Sequence, residues 1–262
     1  MGTAIITGGA SGLGEACARR FANDGHHVWL LDRDSARAQD ISKDIIANGG
    51  KADARAIDVS DPLEMESIAQ EIFAVSGAPD ILVTSAGILH SANTVLDMDM
   101  AQHDELWNIN YKGTLHACRA FGRQMFDAGK GAIVTLGSIN SLIPMPLPAY
   151  SPSKTAIMRL TEILAVELGR KGVRVNSIAP TYILTPALKA RIEAGERDAD
   201  LIRKSGAIEM YVTPENVADV VAFLCSPQAA AVTGVMLPVD AGYLAAVPYR
   251  SYAGGVPWAD EE

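Results

Sequence analysis

Cysteine is scarce. Three residues, Cys17, Cys118 and Cys225, are spaced neither as a disulfide framework nor as a metal-binding cluster, so no metal is expected. Scattered thiols suit a reducing compartment, and a cytoplasmic protein is the expectation. Long apolar runs are also missing. No stretch reaches the eighteen or so residues that cross a bilayer, and Met1 leads almost directly into a strand-like run, leaving no room for an export signal. Positive charge is the minority sign, with 22 Lys and Arg against 31 Asp and Glu and a net charge of −9. Because the basic residues are dispersed, neither a nucleic-acid surface nor a membrane partner is expected. No linker, repeat or low-complexity tract divides the sequence, so residues 1–262 are read as one domain.

What is present is a regular alternation. Short β-branched or aliphatic runs at 3–7, 27–31, 52–57, 81–84, 132–136, 173–178 and 235–239 predict seven strands. Amphipathic segments at 12–23, 34–47, 62–75, 102–126, 149–169 and 214–224 predict helices between them. This pattern belongs to an α/β fold: a doubly wound parallel sheet with helices on both faces. With 48% apolar residues, the chain has enough to bury both.

Between the first strand and helix lies Thr7-Gly-Gly-Ala-Ser-Gly-Leu-Gly14. Gly8, Gly12 and Gly14 remove side chains where the backbone turns and where a pyrophosphate would approach helix N–H groups. Asp32 ends the second strand, eighteen residues after Gly14, where a carboxylate accepts from an adenosine ribose and repels a 2′-phosphate. That favours NAD over NADP, although Arg33 beside it could also meet a phosphate. Further along, Tyr150 and Lys154 stand four residues apart, with Ser138 twelve residues upstream of the tyrosine. On a helix, both side chains project from one face. A phenol titrates near 10 in water, and bringing it to about 7 takes roughly 4 kcal/mol of differential stabilisation, part of which a nearby ammonium supplies. A solvated i, i+4 pair is the plainer alternative.

In this order the motifs resemble the short-chain dehydrogenase/reductase family over nearly the whole chain. Thr7 to Gly14 matches its T-G-x-x-x-G-x-G, Asp58-Val59 its adenine-holding pair, and Ala86-Gly87 the end of its N-N-A-G motif. Asn110, Ser138, Tyr150 and Lys154 fit its catalytic set. Asn176, Pro180 and Thr185 resemble its nicotinamide stretch, while 232–234 and 239–242 resemble its closing strand region. The resemblance implies a Rossmann-type sheet and NAD held by Gly8, Ser11, Gly12, Leu13, Gly14, Asp32, Arg33, Asp58, Val59, Ser85, Ala86, Gly87, Tyr150, Lys154, Pro180, Ile183 and Thr185. It also implies that Tyr150 is the acid/base, Ser138 holds the substrate oxygen, Lys154 holds the ribose and lowers the tyrosine pKa together with the positively charged ring of the oxidised cofactor, and Asn110 positions a water. Each has a bland alternative: Asn110 as a backbone bridge, Ser138 as a turn residue, Asp58 as a turn cap. Thr84-Ser85 replaces two asparagines, and Thr181 replaces a glycine after Pro180.

For substrate, Asn140 and Tyr182 join Ser138 and Tyr150 as expected contacts. Leu142, Ile143, Met145 and Leu147, stiffened by Pro144, Pro146 and Pro148, predict an apolar rim. His90 is read as an exposed loop residue that could also offer a hydrogen bond. An apolar frame with a few amides suits a secondary alcohol or polyol and its ketone, and the sequence around 81–88 and 118–122 is similar to bacterial polyol and sugar-alcohol dehydrogenases. Two rivals are a 3-oxoacyl thioester reductase and a non-catalytic NAD-binding regulator or scaffold. The segment 185–211 is a candidate lid. The aromatic extension 243–262, carrying Tyr243, Tyr249, Tyr252 and Trp258, is read as a partly disordered tail able to reach a partner's site. The family is commonly tetrameric, so a homotetramer is expected.

Overall fold

The computed structural model describes residues 2–90 and 92–256; Trp258 and the last residues of the extension lie outside them. Seven parallel strands form one sheet: β1 (Thr3–Thr7), β2 (His27–Asp32), β3 (Lys51–Ala56), β4 (Ile81–Thr84), β5 (Gly131–Leu136), β6 (Val173–Pro180) and β7 (Met236–Val239). Their order is β3-β2-β1-β4-β5-β6-β7. Strands β1 and β4 are buried along their whole length, as a sheet covered on both faces requires.

Successive side chains alternate between two cores. Ala4, Ile6, Val28 and Leu30 face one, where α1 (Gly12–Asn23) adds Leu13, Cys17 and Phe21 and α9 (Pro214–Cys225) adds Val217 and Val221. Ile5, Trp29 and Leu31 face the other, against Met65 and Ile72 of α3 (Pro62–Ser76), Phe121 of α5 (Gly113–Ala128) and Leu164 of α6 (Tyr150–Gly169). Helix α2 (Ser35–Ala47) starts one residue later than predicted because Asp34 is its cap, accepting from the Arg37 N–H.

The predicted helix at 102–126 is not uniform. It consists of α4 (Met100–Trp107), a π-helical turn at Asn108–Lys112, and α5. The single extra residue of a π turn rotates the downstream helix and re-aims the side chains of the turn itself. Among these is Asn110, which is fully buried.

Two short helices, α7 (Pro186–Glu193) and α8 (Ala199–Lys204), occupy the excursion between β6 and α9. The extension begins with α10 (Tyr243–Arg250), which docks on its own chain. Arg250 donates to the Lys204 and Gly206 carbonyls, and the Ile208 N–H donates to Ala241 O at 3.0 Å.

Candidate active site

The sheet order reverses between β1 and β4, and a cleft opens at their carboxyl ends, as it does in doubly wound folds. It measures about 880 Å³ and is lined by Gly8, Ser11, Gly12, Leu13, Asp32, Arg33, Asp58, Val59, Ser85, Ala86, Gly87, Ile183 and Thr185, all anticipated from the sequence. Gly14, Pro180, Tyr150 and Lys154 are not in its wall. Arg37, Ser60, Ile88, Leu136 and Pro186 line it without having been anticipated. For Arg37 a signal existed: it sits one helical turn after Arg33 at the start of α2.

The glycines are required by contact as well as by conformation. Gly8 has φ +69°, and a Cβ there would lie 2.6 Å from the Ala86 nitrogen. A Cβ on Gly14 would lie 2.0 Å from the Gly8 carbonyl oxygen. Both neighbours are backbone and cannot move aside. The resulting concave loop at the start of α1 fits a dinucleotide pyrophosphate.

Asp32 is held before any ligand arrives: its Oδ2 accepts from the Ala10 N–H and its Oδ1 from the Asp34 N–H, both at 3.0 Å. The carboxylate thus ties the glycine loop to β2 while keeping lone pairs for a ribose hydroxyl. Asp58 combines the two alternatives weighed for it. Its Oδ1 accepts from the Ser60 hydroxyl and N–H, closing a turn, yet it still lines the cleft. Those bonds, with Arg33 nearby, hold its carboxyl below the usual range.

The four candidate catalytic residues come together beyond the cleft's inner end. Lys154 is 3% exposed, its Nζ donates to Leu136 O at 2.7 Å, and it lies 5.5 Å from the centre of the Tyr150 ring. Burial lowers its pKa to about 8. Tyr150 lies beside Ser138 and Lys154. Burial raises its pKa, and a side-chain hydrogen bond with Ser138 opposes the rise without reversing it. Desolvation thus acts on both groups, raising the phenol's pKa and lowering the ammonium's.

Ser138 caps a short 3-10 turn (Ile139–Ser141), its Oγ accepting from the Asn140 N–H at 3.2 Å. Asn140 is buried beside it, and Tyr182 lies half-buried after β6. Asn110 bridges backbone groups: its Oδ1 accepts from the Ile88 N–H at 2.8 Å and its Nδ2 donates to Ile88 O at 3.0 Å. It pins the loop after β4. A Cβ on Gly87 would lie 3.1 Å from Asn110 Oδ1 and 3.8 Å from Lys154 Nζ, so this loop, the asparagine and the lysine meet at one point.

His90 departs from expectation. Its Nε2 is buried with no partner, and so are the Oγ1 atoms of Thr84 and Thr181, two of the positions where the sequence leaves the family pattern.

The family model described as Enoyl-(Acyl carrier protein) reductase, of the short-chain dehydrogenase type, matches residues 8–244. The chain belongs to the short-chain dehydrogenase/reductase family. Galactitol 2-dehydrogenase of Rhizobium johnstonii is 38% identical over 244 residues, covering 92% of this chain and 94% of that protein. D-threitol dehydrogenase of Mycolicibacterium smegmatis is 33% identical over 241 residues, covering 92% of each. The crystal structure of L-sorbose reductase from Gluconobacter frateurii, complexed with NADPH and L-sorbose, superposes with a TM-score of 0.86 at 29% identity, covering 93% of this chain and 96% of that one. Solved neighbours of this short-chain dehydrogenase/reductase carry NADP, NADPH or NAD, and the residues lining its cleft fit such a dinucleotide.

Proposed function

We propose that the chain interconverts a secondary alcohol of a small polyol or sugar alcohol and its ketone, with NAD preferred over NADP. The observation that carries this reading is the meeting of Ser138, Tyr150, Lys154 and Asn110 at the inner end of a dinucleotide-sized cleft. The similarity to galactitol and threitol dehydrogenases supports the substrate class. A bound nicotinamide supplies the hydride acceptor or donor. Ser138 holds the substrate oxygen by its hydroxyl, and Tyr150 takes or returns the proton on that oxygen. Lys154, kept on the Leu136 carbonyl, holds the ribose and places positive charge beside the phenol. Asn110 acts as a positioning residue through Ile88, keeping the loop after β4 against Lys154.

Asp32 supports the preference for NAD, since its fixed carboxylate accepts from ribose hydroxyls and repels a 2′-phosphate. The two helices of 185–211 act as the substrate lid, and Arg250 of α10 holds the lid's far end. Val166 and Ile163 leave α6 with exposed apolar surface, which supports self-association as a homotetramer. Initial rates with NAD and NADP across polyols, monohydric alcohols, hydroxyacids and β-ketoacyl thioesters test the proposal. A hundredfold preference for polyols with NAD, about 2.7 kcal/mol in transition-state binding, is expected; a comparable preference for the thioesters overturns it.

A further inference from the structure

Beside Tyr150, and sharing no wall residue with the dinucleotide cleft, lies a second cavity of about 30 Å³. His90, Asn93, Gln102, His103, Leu147 and Tyr150 line it, together with other apolar groups and Asp99. Most of its polar groups are engaged elsewhere. Asn93 donates to Asp97 O and accepts from the Thr94 N–H, Asp99 caps α4, and His103 Nδ1 is 2.9 Å from Asp104 Oδ1. His90 Nε2 is the exception: buried, unpartnered and part of the wall. Gln102 and His103 Nε2 add further hydrogen-bonding capacity.

A buried ring nitrogen without a partner is costly, and native proteins rarely leave one so. The space limits what can answer it. One water needs roughly 10–15 Å³, so a cavity of about 30 Å³ suits a group as small as a hydroxymethyl. No lysine or arginine lines it, and Asp99 does, which disfavours an anionic end group. A hydroxyl both donates and accepts, so it satisfies the imidazole in either tautomer, while Leu147 and its apolar neighbours pack the methylene.

We infer that this cavity is a specificity subsite in which His90, aided by Gln102 and His103, binds the terminal hydroxymethyl group of a neutral polyol whose inner hydroxyl reacts at Tyr150. The inference rests on the polyol reading and names the part of the substrate that the reacting centre does not touch. It makes His90 a determinant of choice between polyols and simple alcohols.

The test compares wild type, His90→Ala and His90→Gln on threitol and on 2-butanol, which match in carbon number. The ratio of kcat/KM for threitol over 2-butanol should fall about tenfold or more in His90→Ala, chiefly through KM. His90→Gln, whose amide still hydrogen-bonds, should recover part of it. A ratio within about twofold of wild type in both variants overturns the subsite and means that only water fills the cavity. If His90→Ala does not fold, as judged by circular dichroism, the His90→Gln ratio decides, and about threefold or more below wild type is expected. Wild type that turns over no polyol sinks the polyol reading and this inference with it; wild type that does, with an unmoved ratio, sinks the subsite alone.

Discussion

Replacing Asp32 with asparagine should shift cofactor choice by about two orders of magnitude. In the folded chain both carboxylate oxygens accept backbone N–H groups, from Ala10 and from Asp34. An amide turns one of those acceptors into a donor facing a donor, so the glycine loop loosens and NAD and NADP both bind less well. That loss cancels in their ratio. What does not cancel is the charge. The ribose loses charge-assisted hydrogen bonds worth about 1.5–3 kcal/mol, roughly 10- to 150-fold in NAD affinity. A 2′-phosphate escapes a repulsion of about 2 kcal/mol, taking ~5 Å and an effective dielectric constant of ~40. Arg33 and Arg37 already line the cleft, Arg37 3.6 Å from Glu15, and would then add attraction for that phosphate. The NAD-to-NADP ratio of kcat/KM, from initial rates at saturating alcohol, should therefore drop at least about 100-fold. A shift below about threefold, or a wild-type enzyme that already prefers NADP, refutes the reasoning.

Lys154 makes stability depend on pH. Its folded pKa, about 8, lies below its unfolded value, so the unfolded chain binds the extra proton between about pH 8 and 10.5 and stability rises with pH there. Urea unfolding of the ligand-free protein should show that rise, worth about 3 kcal/mol at full extent, and Lys154→Met should flatten it; equal slopes would count against a buried charged lysine. Tyr150, shifted upward, acts in the opposite sense above about pH 10. Gly14→Ala should fail to bind NAD and lose several kcal/mol of stability, since its Cβ would meet the Gly8 carbonyl; calorimetric binding with a wild-type affinity would contradict this. Arg250→Ala should speed proteolysis within 195–206 and raise KM for the alcohol roughly three- to tenfold by freeing the lid from α10. Unchanged proteolysis and KM would remove the latch.

The strands were legible because a doubly covered parallel sheet leaves a simple trace: β1 and β4 read as unbroken apolar runs between turn residues. The glycine loop was legible for a related reason, since only glycine fits where Gly8 and Gly14 approach other backbone. Less legible was everything set by one residue's angle or by contact across the fold. Nothing in 102–126 marks the π turn, because helical periodicity survives one inserted residue, yet that turn aims Asn110 at Ile88. The tyrosine pKa was read from Lys154 and the charged nicotinamide ring; burial, which a sequence does not display, acts on the phenol in the opposite direction and exceeds the effect of the Ser138 hydrogen bond. His90 looked like surface because its loop is polar, and only the fold closes Leu147 and α4 over it. The extension's aromatic residues pointed to docking, but α10 docks on residues 204–206 of its own chain through Arg250, which composition did not single out.

Tyr150 is proposed as the acid/base of a dinucleotide-linked oxidoreductase. Tyr150→Phe keeps the ring, its burial and the walls of the cleft while removing the one proton-carrying oxygen. Single-turnover rates on the best alcohol, measured beside calorimetric NAD affinity, test it directly. NAD affinity within about threefold of wild type and a turnover rate lower by roughly 10²- to 10⁴-fold are predicted. Turnover near the wild-type rate would contradict the account.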